Sequence, residues 1–155
     1  MSRATPWPIT LPKEQAAPSG AKADHFLARV ARLTDWRPIE SALAAIPVHE
    51  ATRPRYPSLL LFKIVLLQQW YGLSDPGAEY AVNDRKAFAR FVGLPEGAPC
   101  PSLHTINRFR AELVRRDLGE LLLNMVVEQL QAKDLKVREG AMVEPSLIDI
   151  SKRPH

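Results

Sequence analysis

The 155-residue sequence is poor in cysteine, in glycine and in long apolar runs. Its single cysteine, Cys100, excludes an internal disulfide bond and a zinc site built from several cysteines. Its seven glycines are scattered, so no glycine-rich phosphate-binding loop is present. The most apolar run, residues 59–67, is interrupted by Lys63 and is far shorter than the roughly 20 residues that cross a bilayer. We therefore expect no membrane segment, no signal peptide and a reducing, cytoplasmic location.

Proline, in contrast, is abundant. The chain contains 14 prolines, whereas roughly 5% of the residues in an average protein are proline. Four of them lie close together near the start of the chain, at Pro6, Pro8, Pro12 and Pro18. This density of helix-breaking residues predicts a flexible arm over residues 1–23.

The overall composition is that of a globular, soluble domain, with 46% hydrophobic and 25% charged residues. The formal net charge is +4 at pH 7. A positive charge of this size permits binding to a polyanion such as DNA but does not require it. Function therefore has to be inferred from the placement of particular residues.

The region 24–133 is predicted to be a mainly α-helical bundle, because its apolar residues recur at helical spacing. Ser58, Ser74, Asp84 and Ser102 are predicted N-caps, and Asp117 with Glu120 forms a predicted capping box. The aromatic residues Trp70, Tyr71, Phe91 and Phe109 are assigned to the core. The predicted helices cover residues 24–33, 39–46, 59–71, 74–82, 84–92, 102–116 and 117–133.

The pattern changes after residue 133. Apolar pairs on either side of Glu139-Gly140 predict a short β-hairpin within residues 134–155. Two strands alone are marginal in water. The hairpin therefore either packs on the helical region or begins a sheet whose other strands are not in this sequence.

The predicted helix over residues 102–116 carries the most informative set of polar residues. Its face opposite the apolar stripe includes His104, Asn107, Arg108, Ala111 and Arg115, with Arg110 and Arg116 nearby. Arginine and asparagine bind the edges of guanine and adenine in the major groove, and arginine also binds phosphate. Because another short helix precedes it, this helix is a candidate recognition helix of a helix-turn-helix variant.

A solvated helix face is the alternative interpretation, because Glu112 and Asp117 dilute the positive charge. In that case Arg108 or Arg110 pairs with Glu112, or with Glu79 on a neighbouring helix.

Two other chemical patterns are weaker. Cys100 and His104 suggest a thiol nucleophile, but no orienting residue can be placed beside them. Glu144 and Asp149 are acids that can coordinate a divalent ion, although such residues are usually solvated. The four histidines show no metal-binding spacing, so no metal site is predicted.

Between Arg55 and Ile148 the chain resembles the N-terminal portion of insertion-sequence transposases of the DDE class. The similar blocks occur in the same order and at similar spacing. They are YPSLLLFKIVLLQQWYGLSD (56–75), RFVGLP (90–95), PSLHTINRFRAEL (101–113) and LKVREGAMVEPSLI (135–148).

The resemblance implies a helical N-terminal domain that binds double-stranded DNA at the inverted-repeat ends of the element. It also implies that a ribonuclease-H-like catalytic domain follows, in which two Asp and one Glu hold two Mg²⁺ ions for strand cleavage and transfer. The DNA-binding residues are then His104, Thr105, Asn107, Arg108, Arg110 and Arg115, with Thr105 as a phosphate contact.

The sequence departs from the family pattern at the first catalytic acid, where Glu144 replaces Asp and Pro145 follows it. Moving a carboxylate by about 1 Å can cost on the order of a hundredfold in rate. The sequence also ends before the other two acids and most of the sheet. We therefore expect no cofactor for this chain and no cutting or joining of DNA by the chain alone.

The sequence thus predicts a transposase fragment whose helical domain binds DNA. The alternatives are a protein-interaction module that oligomerises with full-length transposase and inhibits it, through an apolar patch on its helices, and a relic without function. DNA binding should weaken steeply with salt, whereas apolar oligomerisation should not.

Overall fold

The computed structural model describes residues 21–46 and 56–133 and two short strands, with side chains described for residues 25–46 and 56–133. The described part is mainly helical, as predicted. Its helices are α1 (Ala21–Leu33), α2 (Arg37–Leu43), α3 (Ser58–Tyr71), α4 (Asp75–Asp84), α5 (Lys86–Val92), α6 (Leu103–Arg115) and α7 (Gly119–Ala132).

Helix α3 lies at the centre of the core. Eleven of its 14 residues are buried, because helices α2, α4, α5 and α6 all pack against it. A helix surrounded by other helices needs apolar residues on every side, which explains its lack of a polar face. The predicted core aromatics are buried as expected, with exposures between 0% for Tyr71 and 5% for Phe109.

The aromatic contacts link α3 to α5. The rings of Tyr71 and Phe88 lie 5.2 Å apart between centroids, and those of Trp70 and Phe91 lie 6.5 Å apart. These tilted arrangements avoid stacking the negative ring faces on each other. Helix α1 also packs on α5, so α5 joins the N-terminal helix to the central one.

Of the four predicted N-caps, Ser74 and Ser102 are confirmed. Ser58 and Asp84 are wrong, because α3 begins after Pro57 and α5 after Arg85, and neither of these residues makes a side-chain cap bond. Ser74 Oγ accepts a hydrogen bond from the backbone N–H of Gly77 at 3.0 Å. Ser102 Oγ accepts one from the backbone N–H of Thr105 at 3.3 Å. Each bond satisfies an N–H group that has no partner within its own helix.

The predicted capping box at Asp117 is wrong. Asp117 has a φ of 55° and ends α6, with the N–H of Leu118 donating to the carbonyl of Leu113 at 2.9 Å. This left-handed closure uses Asp117 to terminate one helix, so it cannot cap the next. Helix α7 begins at Gly119 instead, and its N-cap, Leu118, makes no side-chain cap bond.

Two strands of two residues each, β1 (Val137–Arg138) and β2 (Ala141–Met142), pair antiparallel. Residues 139–140 and 143–155 lie outside the described residues, as does the predicted arm as far as residue 20. The hairpin as the start of a ribonuclease-H-like sheet therefore stays a prediction. Among the described residues, no helix is long and apolar enough to cross a membrane.

Gly93 ends α5 in the left-handed conformation, with a φ of 88°. Substitutions at Gly93 test how much this conformation depends on glycine. A Cβ there would meet nothing within 4 Å, so Gly93→Ala introduces backbone strain without a clash. We expect it to lower the free energy of unfolding by about 1 kcal/mol in urea titrations. Gly93→Asn is the control and should cost less, since Asn tolerates the left-handed region. Equal costs for both variants would contradict this explanation.

Candidate nucleic-acid interface

Helix α6 has one buried face and one exposed polar face. Ile106, Phe109 and Leu113 are buried on the inner face, at 5% exposure or less. The outer face consists of His104, Asn107, Arg108, Ala111 and Arg115, all of which are exposed. The spacing of three, one, three and four residues places these five side chains along one side of the helix. The predicted polar face therefore lies at the surface.

A single carboxylate fixes this helix against the rest of the fold. Asp75, the first residue of α4, accepts a hydrogen bond from Gln68 Nε2 at 2.8 Å and one from Asn107 Nδ2 at 3.1 Å. Arg110 Nη1 donates to the same carboxylate in an ion pair. The Asp75 side chain is only 12% exposed and that of Arg110 is 22% exposed. Because Gln68 belongs to α3, this network joins three helices.

A further hydrogen bond holds the start of α6. The backbone N–H of Leu103 donates to Glu79 Oε1 at 2.9 Å. Glu79 follows Asp75 by one turn on α4, whereas Leu103 precedes Arg110 by two turns on α6. The two helices therefore run antiparallel. These hydrogen bonds connect α6 to α4 rather than to α5, which comes immediately before it in the chain, and helix-turn-helix character stays a prediction.

The predicted site residues occupy different environments. Asn107 and Arg110 bind Asp75 and so help to position the helix. Arg115 pairs with Glu112 but keeps 68% of its side chain exposed. His104 and Arg108 are exposed, and Thr105 is half-buried. DNA contact by these side chains stays a prediction.

The ion pair of Arg110 differs from the one that the alternative interpretation predicted. Glu112 pairs with Arg115 and with Arg116, whose Nε lies 3.1 Å from Glu112 Oε1. Arg110 pairs with Asp75, a partner that the sequence did not indicate. Glu79 binds the backbone of Leu103.

Cys100 has the environment of a structural thiol. Its Sγ–H donates to the carbonyl oxygens of Pro101 at 3.3 Å and Glu79 at 3.7 Å. Burial, together with the smaller effect of the nearby Glu79 carboxylate, raises the pKa of the Cys100 thiol to about 11. A nucleophilic cysteine needs a lowered pKa, so this environment opposes the nucleophile suggested by Cys100 and His104.

Tyr80 is a surface feature that the sequence did not single out. Its side chain belongs to α4 and is 69% exposed. Pro76, Tyr80 and Asn83 share the exposed side of α4, next to the side on which Asp75 and Glu79 contact α6. The exposed sides of the two antiparallel helices therefore adjoin and form one surface.

The residues that the structure describes do not form a site for the Mg²⁺ ions that the family resemblance implies. No three His, Cys, Asp or Glu side chains there are grouped so that they could hold a metal ion. Glu144, at the position of the first catalytic acid, lies outside the described residues. No chemical step can therefore be derived through a metal at this surface.

The described part is thus a helical module that displays an arginine-containing helix at its surface. Comparison with protein families matches residues 19–112, more than half of the chain, to the family described as transposase domain (DUF772). The chain belongs to this family, which confirms the resemblance to the N-terminal portion of a transposase. The match includes helices α1 to α5 and most of α6. Comparison with solved structures gives no match.

The ion pair between Asp75 and Arg110 should contribute more to stability than the exposed pair on the same helix. Asp75→Ala and Arg110→Ala should each lower the free energy of unfolding by about 2 kcal/mol, because each leaves a largely buried charge without its partner. Arg115→Ala, the matched control, should cost less than about 1 kcal/mol. Urea unfolding of the singles and of the Asp75–Arg110 double variant measures the coupling, and additive effects would contradict the pairing.

The raised pKa of Cys100 predicts low thiol reactivity. At pH 8 a pKa of about 11 instead of 9.0 leaves on the order of a hundredfold less thiolate. Alkylation of the folded chain by iodoacetamide should therefore be slower, by at least this factor, than alkylation of the urea-unfolded chain. Because folding raises this pKa, stability should fall as the pH rises from 9 towards 11. Comparable alkylation rates in the two states would refute the assignment.

Proposed function

We propose that the helical region binds double-stranded DNA at the inverted-repeat ends of an insertion sequence, using the exposed face of α6. The observation that carries the proposal is the exposed line of His104, Asn107, Arg108 and Arg115 in a chain of the transposase-domain family. An α-helix fits the width of the major groove, and these residue types match its donors and acceptors.

The contacts of α6 divide these residues by role. Residues near the N-terminus of a recognition helix usually contact base edges, which assigns base contacts to His104, Asn107 and Arg108. Arg115 lies at the far end of α6, which suits a phosphate contact. An amide has two N–H donors and a carbonyl acceptor, so the single bond from Asn107 to Asp75 leaves capacity for a base.

The proposal assigns Arg110 a positioning role. Its bond to Asp75 keeps the helix in place, and a DNA phosphate would have to displace a carboxylate that is 12% exposed. The hydroxyls of Thr105 and Ser102 form a hydrogen bond of 3.3 Å. Thr105 is half-buried and remains a predicted phosphate contact. Arg115 can exchange Glu112 for a phosphate at lower cost, because its side chain is mostly in solvent.

In this proposal the exposed face of α6 takes no part in strand cleavage. In the DDE class it takes place in a catalytic domain, whose first acid corresponds to Glu144 here. The helical region would therefore recognise DNA, and this chain would be catalytically incomplete by itself. A second candidate partner is another transposase chain. It is favoured by the 54% exposure of Leu121 on α7.

Fluorescence anisotropy with a labelled duplex of the element end and with a scrambled duplex tests the proposal. The chain should prefer the end sequence, and its affinity should fall steeply with salt. Arg108→Ala should weaken binding to the end duplex by about tenfold and reduce its preference over the scrambled one. Arg115→Ala should weaken both and reduce the salt slope by about 0.9.

The matched control is Arg37→Ala. Arg37 is also an exposed arginine in an ion pair, with its Nε 2.9 Å from Asp35 Oδ1, but it lies on α2. Its replacement should leave sequence preference unchanged. Equal binding of both duplexes, or equal losses from the Arg37 and Arg108 variants, would reduce the surface to a general basic one and refute end recognition by α6.

A further inference from the structure

An apolar groove lies between α1 and α5, on helices that take no part in the proposed DNA contact. Its volume is ≈ 440 Å³. Its lining consists of Leu27, Ala28, Ala31, Ala87 and Phe91, together with the two arginines Arg32 and Arg90. Three of these residues are alanines, so a partner can approach close to the helix backbones.

The lining favours a particular kind of occupant. Sites for small molecules usually combine an apolar lining with several converging polar groups. Here the polar groups are two exposed arginines, and the remaining lining is apolar. Such a groove suits an apolar ridge of another helix that carries a carboxylate for Arg32 or Arg90.

Helix α7 carries a ridge of this kind. Leu121, Met125 and Glu128 follow one another at spacings of four and three residues, so they line one side of the helix. Leu121 is 54% exposed and is one of three exposed large hydrophobic residues in the described part of the chain. Met125 is half-buried, since it packs partly on the core of its own chain, and Glu128 is exposed. The ridge is therefore apolar with an acidic end, and it matches the apolar lining and opposes the charge of the groove.

The positions of groove and ridge allow a symmetric dimer in which the ridge of each copy enters the groove of the other. Lys133 Nζ donates to the carbonyl of Leu33 at 3.0 Å, and Gln129 Nε2 donates to the carbonyl of Asp35 at 3.0 Å. These bonds place the end of α7 beside the end of α1, which also forms one wall of the groove. Groove and ridge therefore both adjoin α1. A two-fold axis near α1 would let each copy insert its ridge into the groove of the other.

We propose that the α1–α5 groove is a docking site for a second copy of this chain, whose α7 ridge inserts Leu121 and Met125 between α1 and α5. Glu128 of one copy then meets Arg32 or Arg90 of the other. The inserted side chains leave water, which supplies the main driving force. The ion pair gives the docking its direction, and reversing both arginine charges would set like charges against Glu128 and weaken the association. This association does not depend on DNA.

Sedimentation equilibrium of the full chain without DNA tests the association. The wild-type chain should approach twice its 17.4 kDa mass as concentration rises. Leu121→Asp on the ridge and Ala28→Glu in the groove should each weaken dimerisation by at least tenfold. Both positions are exposed, so folding should be retained, as circular dichroism can verify. Tyr80→Asp and Val114→Asp alter the other exposed large hydrophobics and should leave the dimer intact.

Cross-linking tests the contact itself. In a Cys100→Ser background, a chain with Ala28→Cys is mixed with a differently tagged chain carrying Leu121→Cys and then oxidised. The expected product is a mixed disulfide between the two chains, formed faster than with Ala111→Cys on the exposed face of α6. Equal yields for the two pairings would overturn the proposed docking.

Three further outcomes would also overturn the proposal. The first is a wild-type chain that stays monomeric at all concentrations. The second is a dimer that Tyr80→Asp disrupts as strongly as Leu121→Asp does. The third is a combined Arg32→Glu and Arg90→Glu change that weakens DNA binding but leaves the self-association constant unchanged, which would assign the groove to nucleic acid. Since the first two are measured without DNA, they are independent of end recognition by α6.

Discussion

The carboxylate of Asp75 is the point on which the placement of α6 depends. It accepts hydrogen bonds from Gln68 on α3 and from Asn107 and Arg110 on α6, and it stands in the first turn of its own helix, where the helix dipole favours a negative charge. A charge so little exposed is tolerated only when it is fully partnered. The network therefore stabilises one arrangement of three helices, and it presents the outer face of α6 as a rigid surface.

Exposure, rather than residue type, separates the roles of the arginines on α6. Arg110 lies against Asp75 and helps to hold the fold together, whereas Arg115 lies mostly in solvent and pairs with Glu112 at the surface. An arginine thus has a positioning role at residue 110 and is available to a partner at residue 115. A similar division applies to apolar residues, since Leu122 is buried in the core while its neighbour Leu121 is exposed on the α7 ridge.

Local patterns predicted most of the fold, and long-range contacts explain the rest. Apolar spacing gave the order of all seven described helices, and the buried character of α3 followed from its uniformly apolar sequence. Asp117 was misassigned because Asp also tolerates the left-handed conformation that ends a helix. The pairing of Asp75 with Arg110 spans 35 residues, and no local pattern indicates which carboxylate an arginine will meet. The groove likewise arises only when α1 packs against α5.

The division of α6 into a side anchored on the fold and an exposed side has a consequence for evolution. The positions that secure the helix are Arg110, Asn107 and the buried Ile106, Phe109 and Leu113. Ala111, in contrast, is exposed on the outer face and its side chain is only a methyl group. Substitutions at such exposed positions can accumulate without unfolding the domain, so the outer face of α6 can change while the scaffold stays the same.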